Sequence, residues 1–242
     1  MTGGFPAAAF NLAEAVKRLA SVPLNDQPGS KFRYGYSIDV LGRLVEVLSG
    51  KTLDQFFEEK IFRPLAMKDT GFFVAEDKWN RLATLYTPKE PSGIKRSESP
   101  AQESFKKKPT LLLLGGAGLT STLDDYARFY AMLLNDGQLD GARILSRKSV
   151  ELMRSDHLGT LPHAGLLPEW EGFGLTFAVS PGPGKSPDVG SPGSYRWGGA
   201  AGTSFWIDPK ERMFGIFLIQ ILPPNVAAAE QFRRLTYMAM VD

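Results

Sequence analysis

A chain of 242 residues that is 43% hydrophobic, 22% charged and 11% aromatic has the composition of a folded globular protein, which excludes disordered and collagen-like architectures. Lys and Arg number 28 against 26 Asp and Glu, and a net charge of +2 is too weak a field to point to nucleic acid or an anionic membrane, so the expected partner is a small molecule or another protein. There is no cysteine, which removes disulfides, thiolate nucleophiles and Cys-held zinc; no apolar run approaches the ~20 residues of a membrane span, and residues 1–9 lack the basic segment that precedes a secretory core, so a cytoplasmic location is expected.

The first predicted helix runs from Asn11 to Ala20, where Asn11 and Glu14 have capping spacing and Leu12, Ala15, Val16 and Leu19 share a face. Pro23 and the Pro28-Gly29 pair end it. A second helix is expected from Ser37 to Ser49, with Ile38, Leu41, Leu44, Val45 and Leu48 on its apolar face and Gly50 as a left-handed stop. Thr52 and Gln55 then form a capping box for a third helix, whose apolar side is Phe56, Phe57, Ile61 and Phe62 and which Pro64 terminates.

From Pro88 to Pro109 the chain is polar, carries three consecutive lysines at 106–108 and shows no sustained period, so it reads as an exposed loop. Helical pattern resumes behind Ser121 and Thr122 and carries Tyr126, Phe129, Met132 and Leu133 as far as Gly137; a short helix follows over Lys148 to Arg154. Beyond Gly172 the pattern changes to strands at Gly174–Val179, Thr203–Ile207 and Met213–Ile221, the last two joined by the turn Asp208-Pro209-Lys210-Glu211. A Pro/Gly/Ser-rich stretch, Ser180 to Gly193, separates the first strand from the second, and a helix after Pro223-Pro224 carries Phe232, Leu235, Met238 and Ala239. With no repeat and no linker, a single α+β domain over residues 1–242 is the simplest architecture.

Several chemistries are absent: the sequence holds no G-x-S-x-G elbow, no Walker A loop and no H-E-x-x-H zinc motif, and neither a cofactor nor a metal is implied. The glycine runs 115–118 and 198–202 lack the strand-then-helix context that phosphate cradles need. His157 and His163 read as ordinary loop histidines with no assigned role.

Two segments are more informative. One is Phe32-Arg33-Tyr34-Gly35-Tyr36-Ser37-Ile38-Asp39-Val40-Leu41-Gly42; the other is Tyr195-Arg196-Trp197-Gly198-Gly199-Ala200-Ala201-Gly202-Thr203. With Glu46 to Gly50, Arg63 to Phe72 and Gly116 to Phe129, they resemble the serine β-lactamase and penicillin-binding-protein superfamily, and most closely its class C-like, family VIII carboxylesterases. The resemblance runs from about Leu12 to Asp242 and implies a β-lactamase-like fold, an antiparallel sheet with flanking helices plus a helical subdomain. It also implies a serine hydrolase acting on small acyl esters. The Tyr-to-Gly spacing of that branch places Tyr34 on the catalytic general base, with Tyr36, two residues on, as the alternative register where other branches have asparagine. Trp197-Gly198-Gly199 matches the strand motif that lines the site, in place of Lys-Thr-Gly. Tyr36, Trp197, Gly198 and Gly199 would then contact substrate, and the Ala200 backbone N–H would contribute to the oxyanion hole. The alternative is structural: Tyr34 as a helix-entry packing residue and Trp197 as a core aromatic.

Chemistry agrees with these implied roles. A phenol with a pKa near 10 serves as a base at neutral pH only beside a cation that favours phenolate. Glycines let backbone approach an acyl group closely, and one well-aimed N–H is worth roughly 3 kcal/mol in the transition state. Tryptophan in place of lysine removes the charge that would hold a substrate carboxylate, which favours neutral esters over penicillins.

The family's nucleophile motif, S-x-x-K, lies upstream of the tyrosine, and none of the 33 residues before Tyr34 forms it. Ser92–Lys95 and Ser104–Lys107 have the spacing but fall in the polar loop, where nothing would lower a lysine pKa. Met213–Ile221 is apolar on both faces and unguarded by Pro or Lys, as a central strand would be, yet no further strand partners are evident. The expectation is an N-terminally incomplete fold with no nucleophile of its own, inactive in isolation and prone to self-association through the uncovered side. A non-catalytic remnant and a β-lactamase or D-Ala-D-Ala peptidase relative are the alternatives.

Overall fold

The capping chemistry at the N-terminal end sets the first elements. In the computed structural model, which describes residues 11–99, 104–106, 112–164 and 167–241, the Asn11 side chain accepts the Glu14 N–H at 2.8 Å and opens α1 (Leu12–Leu19). Helix α2 (Ser37–Ser49) has the expected limits and stops at Gly50, whose φ of +68° is the left-handed conformation that glycine adopts without strain. Thr52 and Gln55 close the capping box of α3 (Leu53–Phe57), which widens into a π-type turn over Glu58–Phe62. These elements belong to a first compact unit, Met1–Leu82 with Pro100–Asp125. Its core is Leu12, Leu53, Phe72 and Leu113, packed against Val16, Val45, Phe57 and Leu114.

The expected apolar face of α2 is only partly inside. Val45 packs on the core, but Leu41, Leu44 and Leu48 are exposed, and the residues buried on this helix are Asp39 and Gly42. Close backbone packing explains the inversion. A Cβ on Gly42 would stand 3.2 Å from the Gly115 Cα, and one on Gly115 would collide with the Ile38 carbonyl oxygen. The glycines at 115 and 116 therefore serve helix packing. Elsewhere in this unit, Asp125 accepts the Asp69 N–H and the Thr70 hydroxyl, each at 2.7 Å, and Gly71 bridges Thr120.

The second unit is Ala83–Ser99 with Tyr126–Asp242. The region read as irregular contains an antiparallel hairpin, β1 (Tyr86–Pro88) with β2 (Ile94–Arg96), whose Lys- and Ser-rich composition reflects exposed edges rather than absent structure. Helix α4 (Leu123–Leu134) starts behind Thr122, whose hydroxyl accepts the Asp125 N–H. The small pair β3 (Gln138–Leu139) and β4 (Ala142–Arg143) follows, then α5 (Arg147–Met153), capped by Ser146. The run of three lysines extends past residue 106 and lies in part outside the described residues.

Five antiparallel strands form the main sheet: β5 (Gly172–Phe173), β6 (Ala178–Val179), β7 (Tyr195–Gly198), β8 (Ser204–Asp208) and β9 (Met213–Phe217), in spatial order β9-β8-β7-β6-β5. The single strand expected over Gly174–Val179 is instead a tight hairpin. The Gly174 N–H donates to the Phe177 carbonyl at 2.7 Å and the Leu175 N–H to the Met153 carbonyl at 3.0 Å, so backbone groups a strand would use are spent on the turn. On one face of the sheet Tyr130 stacks on Phe205 with centroids 4.3 Å apart. On the other, Trp206 meets Phe232 and Tyr237 of α6 (Val226–Met238). Gly215, directly opposite Trp206, leaves room for the indole, which any Cβ there would strike.

Among the described residues β9 is an outer strand and its residues are half-buried. The chain beyond it is paired: Ile221 donates to Ala201, and Tyr86 both donates to Gln220 and accepts from Leu222. The expected strand thus ends at Phe217, and its continuation is tied to the turn 199–203 and the β1 hairpin.

Candidate active site

Tyr34 and Tyr36 belong to the first unit, and Trp197, Gly198, Gly199 and Ala200 to the second. Tyr34 lies between the extended pair Phe32–Arg33 and α2, and is 46% exposed. Tyr36 is the N-terminal boundary residue of α2, with its carbonyl accepting the Val40 N–H at 3.1 Å. What anchors this entry is a buried carboxylate one turn in: Asp39 accepts the Gly116 N–H at 3.1 Å. Upstream, Asp26 pairs with Lys31 and Arg33, and the Arg33 guanidinium, followed by the Lys31 ammonium, lowers its carboxyl to about 2.

The second set is brought together on one turn. Trp197 sits on β7 opposite Phe205 and packs edge-on against Phe173 with centroids 5.3 Å apart. Past Gly198 the chain reverses: the Gly199 N–H donates to the Thr203 carbonyl at 2.8 Å and the Gly202 N–H to the Gly199 carbonyl at 3.0 Å. Gly202 has a φ of +90°, which an L side chain rarely adopts, and a Cβ on Gly199 would meet the Thr203 hydroxyl. Ala200 is at the exposed crest, and among the described residues no acceptor meets its N–H. Chemically this is an N–H donor presented on a rigid turn beside an aromatic wall.

The residue before Trp197 forms an ion pair of which only the carboxylate is buried. Arg196 donates to Glu171 at 2.6 Å, and Glu171 is almost wholly buried. Burial raises the Glu171 carboxyl above its ordinary range, against the pull of Arg196. At the other end of β8, buried Asp208 accepts N–H groups of Ser191, Lys210 and Glu211 and the Tyr237 hydroxyl. Glu171 carried no signal in the sequence, and Asp208 was legible there only as the first residue of an Asp-Pro turn, a type that binds its own backbone.

His157 and His163 contact the carbonyls of Leu152 and Pro168. Ser92 and Lys95 are exposed on the β1–β2 hairpin; Ser104 is exposed and Lys107 lies outside the described residues. Among the described residues no group of three His, Asp or Glu side chains could hold a metal, and no helix is long and apolar enough to cross a membrane.

A family model described as Beta-lactamase matches residues 1–237. The chain belongs to the beta-lactamase family. Its α+β architecture of antiparallel strands and flanking helices is the β-lactamase-like fold. Among its relatives in that family, Protein Rv1367c of Mycobacterium tuberculosis is 39% identical over 92% of this chain and 61% of its own length. Esterase EstB of Burkholderia gladioli is 31% identical over 82% of this chain and 52% of its own. The solved structure of EstCE1, a hydrolase with promiscuous acyltransferase activity, superposes with a TM-score of 0.78 at 26% identity, covering 98% of this chain and 64% of that one. This beta-lactamase-family chain therefore has esterase and acyltransferase relatives and spans about half to two thirds of their length.

Proposed function

We propose that this chain is part of a single β-lactamase-related domain of the family VIII carboxylesterase type, a serine hydrolase acting on small neutral acyl esters through an acyl-enzyme. The observation that carries this reading is the turn after Trp197, where the Gly199 and Gly202 N–H groups close the turn and leave the Ala200 N–H at its exposed crest. In the proposed reaction a serine hydroxyl, from a segment outside these 242 residues, attacks the ester carbonyl while Tyr34 accepts its proton. The Ala200 N–H takes the developing oxyanion, the tetrahedral species expels the alcohol with the proton returned by Tyr34, and water repeats the sequence on the acyl-serine. Tyr36, Gly198 and Gly199 bound the acyl site. Trp197 supplies apolar surface and no charge, which suits a neutral ester.

The test is to incubate the 242-residue chain with a short-chain nitrophenyl ester and a fluorophosphonate probe. Neither turnover nor labelling is expected; labelling at Ser92 or Ser104 would overturn the assignment of the nucleophile to another segment. Where activity is restored by a family segment carrying S-x-x-K, esters should exceed penicillins in kcat/KM, and Trp197→Lys should narrow the gap. A wild-type preference for penicillin removes the esterase reading, and no turnover at all favours a non-catalytic remnant.

A further inference from the structure

Glu171 and Arg196 stand next to the aromatic wall without belonging to it. Glu171 immediately precedes β5, Arg196 is the residue before Trp197 on β7, and it is Phe173 of β5 and Trp197 whose rings meet edge-on at 5.3 Å. Consecutive residues of a strand face opposite sides. Arg196 therefore extends from the back of β7 while the Trp197 ring stands on its front, and the Glu171 carboxylate holds the guanidinium there at 2.6 Å.

Geometry, more than energy, is what this pair supplies. Burying a carboxylate beside a guanidinium gains little, and apolar side chains of similar volume commonly serve as well or better. The contact is also a single one: Glu171 Oε2 takes the guanidinium, and the buried Oε1 has no partner among the described residues. The other charged groups around Glu171 are committed elsewhere. Arg233 of α6 donates to Asp188 at 2.8 Å, and Asp156 accepts the N–H groups of Leu158 and Phe173. A protonated Glu171 would leave the Arg196 guanidinium, already about a third exposed, to turn to water and release β7 from behind.

We infer that Glu171 is a positioning residue for the wall: through Arg196 it fixes where the Trp197 ring stands, so that protonating one buried carboxyl shifts the surface offered to an acyl group. For its bearing on the reaction this rests on the reading of Trp197 as a wall of the acyl site. Burial raises the Glu171 carboxyl above its ordinary 4.5; Arg196 opposes the rise, Asp188 adds to it and Arg233 opposes it. Two histidines lie close enough to move the same ring. The His157 backbone N–H donates to the Phe173 carbonyl, and the His163 ring contacts the Pro168 carbonyl, which also accepts the Glu171 N–H.

The 242-residue chain is grown with 5-fluorotryptophan, so that its four tryptophans give four fluorine resonances, with those of Trp197 and Trp79 assigned by Trp197→Phe and Trp79→Phe. Trp79, in the first unit, is the reference. Between pH 4.5 and 8 the Trp197 resonance should follow a single titration while that of Trp79 stays in place. Glu171→Gln, which keeps the size of the side chain, should abolish the movement. Arg196→Met, in which the carboxyl still titrates but its link to β7 is cut, should abolish it too. A wild-type Trp197 resonance that is flat over this range would overturn the proposal, as would one that still titrates in Glu171→Gln, which His157 or His163 would produce, or in Arg196→Met. Should one variant fail to fold, the other and the wild-type titration decide. The readout is the ring and not turnover, so failure of the esterase reading leaves the result intact.

Discussion

The Asp39 carboxylate accepts the Gly116 N–H at 3.1 Å, and through that bond the loop of small residues at 115–116 is held against the first turn of α2. The carboxylate is buried, and the glycines beside it are what let backbone come within reach. The entry to α2, including Tyr36, is thus placed by a polar clamp and a glycine contact instead of an apolar ridge.

Gly115→Ala is therefore expected to destabilise the chain, since the new Cβ would overlap the Ile38 carbonyl oxygen. Overpacking of this kind costs about 1–3 kcal/mol. Gly35→Ala, with nothing within 4 Å of its Cβ, should change the melting temperature little. Thermal unfolding of the two variants side by side checks the pair; equal effects would mean that the contact yields freely.

A pH prediction follows from Asp69. The Arg81 guanidinium and then the Lys78 ammonium hold its carboxyl at about 2, below the ordinary 3.8. A group with a depressed folded-state pKa stabilises the fold above its unfolded value and loses that contribution as pH falls through the folded one. Stability should decline between about pH 4 and 2, and Asp69→Asn should flatten that limb in an acid titration followed by circular dichroism. An unchanged acid limb would show that Lys78 and Arg81 are held in place without it.

Arg196→Met leaves the buried Glu171 carboxylate unpaired. Removing one partner of a buried pair costs several kcal/mol, and because Arg196 is about a third exposed the expected loss is nearer 2 kcal/mol. Burial already raises the Glu171 carboxyl, and loss of the guanidinium raises it further. A group with a raised folded-state pKa favours the fold most at low pH and less as pH rises through that value, so the variant should melt closer to wild type at pH 5 than at pH 8. A uniform loss at both would remove Glu171 ionisation as its cause.

The register of the tyrosine motif is decided by two substitutions. With activity supplied by an S-x-x-K segment, Tyr34→Phe should lower kcat by about 10²–10⁴, the usual worth of a positioned base, while Tyr36→Phe should change it little. The reverse order would move the base to Tyr36.

Self-association is expected at the sheet edge. Phe214, Ile216 and Phe217 of β9 are only half-buried, and the strand has neither Pro nor Lys to deter pairing. Sedimentation at micromolar concentration should show dimers or larger species; a clean monomer with a reversible melt would mean that the pairing of residues 220–222 with Ala201 and Tyr86 suffices to guard the edge.

Local chemistry was the legible part of this fold. Asn11 and Glu14, Thr52 and Gln55, and Gly50 each specify a helix end through one or two hydrogen bonds or one dihedral angle, and the structure has them where the sequence puts them. The hairpin at Tyr86–Arg96 was hidden because exposed strands need no alternation of apolar residues, leaving only the turn at Ser92-Gly93 as a signal. Gly174–Val179 misled for the opposite reason: its apolar run is interrupted by a turn whose partner, Met153, is distant in sequence. The apolar face expected on α2 is only partly inside, with Val45 on the core and Leu41, Leu44 and Leu48 exposed, because periodicity does not say what packs on a face. Of the candidate site, the Trp197-Gly198-Gly199-Ala200 turn was recognisable from its glycines, whereas Glu171 and Asp208 depend on burial that no local pattern encodes.

The indole of Trp206 and the bare backbone of Gly215 make these two positions dependent on each other's history. No residue larger than glycine can enter position 215 while the tryptophan is in place, so any substitution there has to be preceded by a smaller residue at 206. Shrinking Trp206 first would open a void against Phe232 of α6, which makes the first step costly on its own. Homologous chains should therefore hold the pair together or exchange both, and a lineage carrying a side chain at 215 beside an intact tryptophan would have had to move its edge strand to a different register.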